Sequence, residues 1–337
     1  MVVSVAAEAV EKTSIRVLGN VQNTLQSSEI ERPFFETELP AASEGAFTIE
    51  FRTMDETGIK GFEAVRLLQF GTFDIMAMQL GYISGDAPFV QGVDLPGIAP
   101  TLEIERKVVD AYRDRIGALL EEKYNGKLLA LWPFPGQAFF CRSEIKGLSE
   151  LDGLKVRVHN PAVANLIEAL GGSAVSLSFP EVYQALQRGV IDCAITGTLP
   201  GNTSKWFEVT NYLYPLFVGW SIQAHVANLD FWNRLSPEAQ DLLATEFAKF
   251  EQKNWDAGEL YTEDGINCNT GQGECRYGTE ETMTLVEVSE EDRQLLQQTA
   301  QKTVLPGWAE RCASTYENCA RVWNETVGAV VGLAVEQ

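Results

Sequence analysis

Between Ser14 and Met78 short apolar stretches alternate with amphipathic ones, and this rhythm constrains the chain more than any other feature. Ser14 to Leu18, Phe47 to Phe51 and Ile75 to Met78 read as strands, with helices over about Thr24 to Glu38 and Gly61 to Gln69. Strand and helix in alternation imply a mostly parallel sheet with helices on both faces. Ligands of such sheets sit at the C-terminal ends of the strands. After Leu128 to Trp132 the cluster Pro133-Phe134-Pro135-Gly136 cannot continue a ladder and marks a crossover. A second α/β region follows from Ala138 to Val209. The chain then returns to the first region around Trp220 to Val226, and Ser236-Pro237-Glu238 opens a helix expected to run through Trp255 to about Leu260. The alternative is two shorter helices with a break near Lys253 or Gly258. There is no internal repeat and no low-complexity tract.

Composition removes several classes of function. A chain of 337 residues, 45% of them hydrophobic, suffices for two packed cores. A formal charge of −21 disfavours nucleic acid and anionic membrane surfaces, which would repel it before specific contacts formed. The apolar run Val327 to Val335 falls far short of the roughly 18 residues that a membrane span needs, so a soluble chain is expected. Met1 to Ala7 lacks a charged n-region and a full apolar stretch, and reads as a mature start after signal removal or as an added start. Glycine-rich phosphate loops and a G-x-S-x-G elbow are absent, and neither His159 nor His225 lies in a metal motif. No cofactor, metal or catalytic constellation is expected.

The six cysteines point to an oxidising compartment. Cys268 and Cys275 bracket a turn-rich loop in which two sulfurs could meet. Cys312 and Cys319 have the same spacing, yet in one unbroken helix seven residues rise about 10.5 Å, beyond disulfide reach. Ser314-Thr315-Tyr316-Glu317 resembles a capping box that would restart a helix there and let the ends fold back. Cross-pairing among these four cysteines and unpaired buried thiols are the alternatives, and the state of Cys141 and Cys193 stays open.

Leu151 to Val209 carries the strongest pointer to chemistry. Arg157 lies between Val156 and Val158 near a strand end, followed by Asn160-Pro161, which caps a helix that Gly171-Gly172 ends. A guanidinium there is costly to bury unless an anion meets it, which predicts a carboxylate clamp; an internal Asp or Glu partner is the bland alternative. Leu151-Asp152-Gly153-Leu154-Lys155-Val156-Arg157, Phe179-Pro180-Glu181-Val182-Tyr183-Gln184-Ala185-Leu186-Gln187 with Gly189 and Asp192, and Lys205-Trp206-Phe207-Glu208-Val209 resemble, block by block, the solute-binding subunits of tripartite ATP-independent periplasmic (TRAP) transporters. Ile15-Arg16-Val17 with Asn20, and Gly61-Phe62-Glu63 through Asp74-Ile75, extend the likeness over roughly residues 13 to 265.

The resemblance implies a two-lobed α/β periplasmic-binding-protein fold with mostly parallel sheets, crossing hinge segments and a long helix across both lobes. Residues 13–134 and 220–262 would form lobe I, and residues 135–219 and 263–337 lobe II. It implies a non-enzymatic, periplasmic binding protein that closes on a carboxylate held by Arg157 and delivers it to two integral-membrane permease subunits. A small-molecule enzyme acting on an organic acid, or a ligand-sensing subunit, is the runner-up. Gln137 stands where the family often has a second arginine, Thr196 where it often has an asparagine, Cys193 where it usually has a glycine and Val218 where a histidine is frequent. A single positive charge favours a monocarboxylate, with an apolar or aromatic body ahead of a sugar acid. Phe179 and Trp220 are the expected walls, with Asn20, Met78 and Gln79 from the first lobe and Trp132 and Asn160 nearby. Phe134 and Tyr183 belong to the same aromatic crowd.

Overall fold

The computed structural model describes residues 11–336, so the reading of Met1 to Ala7 lies outside the described residues. Two sheets organise the chain. In the first, strands β1 (Thr13–Gly19), β2 (Phe47–Thr53), β3 (Ile75–Gln79), β4 (Gly126–Trp132) and β10 (Gln223–Asn228) lie in the order β2-β1-β3-β10-β4. In the second, β5 (Gln137–Cys141), β6 (Lys155–Val158), β7 (Ser173–Ser176), β8 (Cys193–Gly197), β9 (Tyr212–Tyr214) and β11 (Thr284–Leu285) lie in the order β11-β9-β5-β8-β6-β7. Five strand pairings are parallel and four antiparallel, every antiparallel one involving β5 or β10. These are the strands the chain enters on crossing between lobes, so they start at the cleft where their parallel neighbours end.

Alternate side chains of β1 feed the first core: Ile15 and Val17 are fully buried while Arg16 stays out, paired to Asp74 at 2.8 Å. The expected Thr24 to Glu38 helix forms with wide, π-type turns at Gln26–Glu31 and Phe34–Glu38. Phe34 and Phe35 from it stack among Phe51, Phe247 and Phe250. A smaller core in the second lobe gathers Phe140, Val182, Leu186, Ile191 and Trp206. The Leu102–Tyr124 helix packs on β4 of the first sheet. Sequence periodicity did not single it out.

The long helix runs from Pro237 to Thr270, capped by Ser236 and ended by left-handed Gly271, about ten residues beyond the expected stop. Neither Lys253 nor Gly258 breaks it, because tertiary contacts hold the whole length. Its Trp255 indole donates to the Leu131 carbonyl in the first lobe (2.9 Å). Thr262 accepts the Gly136 amide at the crossover (2.9 Å), and Asn269 donates to the Thr198 carbonyl in the second lobe (2.9 Å). A side chain at Gly265 would overlap the backbone of Thr198 and Leu199, so only glycine permits this crossing.

The C-terminal helices serve both lobes, which departs from an assignment of 263–337 to lobe II alone. Asp292 accepts the Leu148 amide of the second lobe (2.9 Å), whereas the Trp308 and Trp323 indoles donate to the Pro88 and Gly92 carbonyls of the first (both 2.9 Å). Three disulfides form: Cys268–Cys275, Cys312–Cys319, and Cys141–Cys193 across directly paired residues of β5 and β8. The helix does break between Ala313 and Cys319, but without the expected capping box: Ser314 donates back to the Arg311 carbonyl, and Asn318 precedes the new helix without a side-chain cap. No helix among the described residues is long and apolar enough to cross a membrane.

Candidate functional site

The two sheets point their cleft ends at one cavity of about 530 Å³, open solvent at its mouth included. Register explains which residues reach it. In the second lobe β6 and β8 run parallel with Arg157 opposite Ala194, so His159 and Thr196 lie just beyond, at the strand ends. Antiparallel β5 begins there, and its first residue Gln137 pairs with Gly197, the last of β8. In the first lobe antiparallel β10 likewise begins at the cleft, where Gln223 pairs with Gln79 at the end of β3. A glutamine thus opens each crossing strand.

Arg157 is 2% exposed. Its Nε donates to the Leu177 carbonyl (3.0 Å), Nη1 to the Ile195 carbonyl (2.8 Å) and Nη2 to the Tyr82 hydroxyl (3.1 Å). All three acceptors are neutral, and no carboxylate among the described residues lies within ion-pair distance. A guanidinium has five N–H groups, so one on each terminal nitrogen is left for a ligand. Burial pulls its pKa down, partly offset by Tyr82. His159 beside it is 3% exposed, its Nδ1 unpartnered among the described residues. Burial first, then the Arg157 charge, lower its pKa to about 3, so the imidazole is neutral.

Tyr82 joins the lobes. It follows β3, stacks on Phe62 (4.5 Å between centroids), and its hydroxyl accepts from both Arg157 Nη2 and the Phe179 amide (2.9 Å). Lys60 and Glu181 form an exposed ion pair across the same gap (2.7 Å), and the Thr203 hydroxyl donates to the Asn23 carbonyl (2.7 Å). The lobes are therefore in contact around the cavity.

Of the residues singled out from sequence, Arg157, Gln137, Phe179, Thr196, Asn20 and Gln79 line the cavity together. Trp132, Trp220, Met78 and Asn160 do not. Trp132 is fully buried with its indole on His225 Nδ1 (3.1 Å), and Met78 is a fully buried core residue of β3. Trp220 is turned away, its amide bound by Asp94 (3.0 Å) and its indole by the Ala99 carbonyl (3.1 Å). Asn160 caps its own helix by accepting the Val163 amide (2.8 Å), one layer behind the cavity against Gly81. Tyr82, His159, Ser221 and Gln223 line the cavity without having been singled out. His159, next after the Arg157 strand, and Tyr82, four residues past the predicted end of the Ile75 to Met78 strand, carried a usable signal.

Comparison with known proteins identifies the family and the fold. Residues 18–310 match the profile of bacterial extracellular solute-binding protein family 7. A solute-binding protein of Chromohalobacter salexigens is 25% identical over 211 residues, 58% of this chain and 60% of that one. The matched stretch spans 54% of a second relative, from Roseobacter denitrificans. A Bordetella pertussis extracytoplasmic solute receptor binding pyroglutamic acid superposes with TM-score 0.81 at 20% identity, covering 93% of this chain and 99% of that one. A TRAP periplasmic solute-binding protein of Desulfovibrio salexigens with bound orotic acid gives TM-score 0.82 at 16% identity, covering 94% and 99%. At such identities these structures speak for the fold.

Proposed function

The chain belongs to bacterial extracellular solute-binding protein family 7, the solute receptors of TRAP transporters, and on that premise we propose that it captures an organic monocarboxylate in the periplasm on Arg157. The observation that carries this reading is a fully buried arginine, bonded only to neutral oxygens, facing a cavity of ligand size. A carboxylate would supply the missing counter-charge through the two free N–H groups, whereas an uncompensated buried charge is strongly unfavourable. Gln137 adds no second charge, which favours one carboxylate over two. The closed pair of lobes would then dock on two integral-membrane permease subunits, since closure is what distinguishes the loaded form.

A thermal-shift panel of carboxylates followed by calorimetry tests it. A ligand at a hundred times its dissociation constant adds about 2.7 kcal/mol to stability. Arg157→Lys is expected to fold and to lose most of that gain, because an ammonium cannot reproduce the planar fork. Affinity within threefold of wild type in Arg157→Lys would remove the clamp from the reading.

A further inference from the structure

We infer that the solute carries N–H or O–H donors on the part facing away from Arg157, rather than bare hydrocarbon; this rests on the carboxylate reading above and narrows it. Four side-chain amides line the cavity, and in three of them, Gln137, Gln223 and Asn20, one N–H of the NH2 group is held back by an atom that can only accept, while the fourth, Gln79, donates to the Ser221 hydroxyl. Gln137 Nε2 donates to the Pro135 carbonyl (2.8 Å), Gln223 Nε2 to the Ser221 carbonyl (3.0 Å) and Asn20 Nδ2 to a carboxylate oxygen of Glu31 (3.2 Å). Such partners fix the amide orientation, which leaves each of the three oxygens without an internal donor, alongside the second N–H of each NH2 group. Gln223 Oε1 and Gln79 Oε1 are buried without a partner among the described residues, and no donor of the described residues reaches Gln137 Oε1 or Asn20 Oδ1.

The orientation of Asn20 is reinforced from below. The Trp132 indole donates to His225 Nδ1 (3.1 Å), so the ring donates through Nε2 to Glu31 (2.8 Å), and Glu31 also takes the Asn20 amide N–H (2.9 Å). The carboxylate of Glu31 is thus fully enclosed by donors and keeps the Asn20 NH2 turned toward it. Arg157 is the cation of the cavity, and the amide oxygens are acceptors set among apolar lining residues such as Val21, Met54, Phe134 and Phe179. A body without donors would bury those oxygens unpaired. Lactams, ring N–H acids and hydroxy acids answer both requirements. The apolar or aromatic body expected from sequence keeps Phe179 as a wall and finds Phe134 and Met54 beside it, and the amide oxygens add the requirement of a donor on its edge.

The test is calorimetry on the intact chain with three matched pairs in which the donor is removed, isosterically in the first and by methylation in the others: pyroglutamate against its lactone 5-oxotetrahydrofuran-2-carboxylate, orotate against 1,3-dimethylorotate, and 4-hydroxybenzoate against 4-methoxybenzoate. In the tightest-binding pair the donor member is expected to bind at least tenfold more tightly. Gln223→Met, shown to be folded by its melting transition, is expected to shrink that ratio at least threefold by removing one acceptor. A ratio below ten in the wild-type protein overturns the inference while leaving the Arg157 clamp intact. Failure of all six to bind overturns the small-carboxylate reading, and this inference falls with it.

Discussion

Replacing Tyr82 with phenylalanine removes one oxygen and should weaken solute binding far more than it weakens the fold. The hydroxyl comes from the first lobe and accepts from two donors of the second, Arg157 Nη2 at 3.1 Å and the Phe179 amide at 2.9 Å. A bond to a charged donor is worth about 1.5–3 kcal/mol and a neutral one about 1. Both are lost only where the lobes meet, since in an open form water serves those donors. The closed form should therefore lose about 2–4 kcal/mol relative to the open one, which is roughly a 30- to 700-fold rise in the apparent Kd. The ring itself stays stacked on Phe62, so the ligand-free melting temperature should move little. The assay is calorimetry with the carboxylate giving the largest thermal shift, with Lys60→Met as a control. Its exposed ion pair to Glu181 spans the same gap and should change Kd less than fivefold. A Tyr82→Phe variant within threefold of wild type would refute the claim that this hydroxyl couples the arginine to closure.

Other perturbations have equally direct readouts. Replacing Cys141 and Cys193 together by alanine opens a closed loop of 52 residues and should cost about 4 kcal/mol of unfolding free energy by denaturant titration. Mass spectrometry of unreduced peptides should find all three bridges; free Cys141 would remove the basis for this value. Gly265→Ala should destabilise the fold by about 1–3 kcal/mol, because the methyl group would meet backbone rather than a movable side chain, and an unchanged melting temperature would contradict the close crossing. His159, with its pKa lowered to about 3 in the folded state against an ordinary 6.5, contributes stability that is fully present above 6.5 and is lost as the pH falls toward 3. Between pH 7.5 and pH 5 wild type should therefore lose about 2 kcal/mol more than His159→Gln, and parallel pH profiles would count against a neutral buried imidazole.

Periodicity located most elements that build the site. The apolar runs at Ser14, Phe47, Ile75 and Leu128 became β1 to β4 with ends shifted by one or two residues. The crossover at Pro133 to Gly136 was legible because proline cannot join a ladder. Arg157 was legible because a buried cation in an apolar strand demands an explanation. The two tryptophans were misread for a common reason: Trp132 and Trp220 sit next to the cavity in sequence, but their indoles found acceptors at His225 and Ala99 that no local pattern reveals. Gln223 and Ser221 were missed because strand direction was not legible. Read as part of a parallel sheet, the start of β10 would lie far from the cleft; as an antiparallel strand it begins there.

Strand direction also bears on how binding and closure are linked. Each lobe receives the chain through an antiparallel strand whose first residue is a cleft-facing glutamine, and the two incoming segments are bonded side by side: the Gln137 amide donates to the Gly219 carbonyl and the Val218 amide to the Gln137 carbonyl, both at 3.0 Å. The residues nearest the hinge are therefore also residues of the site. A solute touching Gln137 and Gln223 contacts both strands within a few residues of where they leave the crossing segments, while Arg157 and Tyr82 meet only across the gap. On this reading the open form can offer the hinge-side glutamines to a solute before the lobes close, and the arginine gains its second-lobe-to-first-lobe bond afterwards. The free energy that separates closed from open is then set by the Tyr82 bonds and the neutralisation of Arg157. A ligand lacking a carboxylate could still contact the glutamines but would leave a buried cation uncompensated on closure, so it should bind weakly and fail to hold the lobes together.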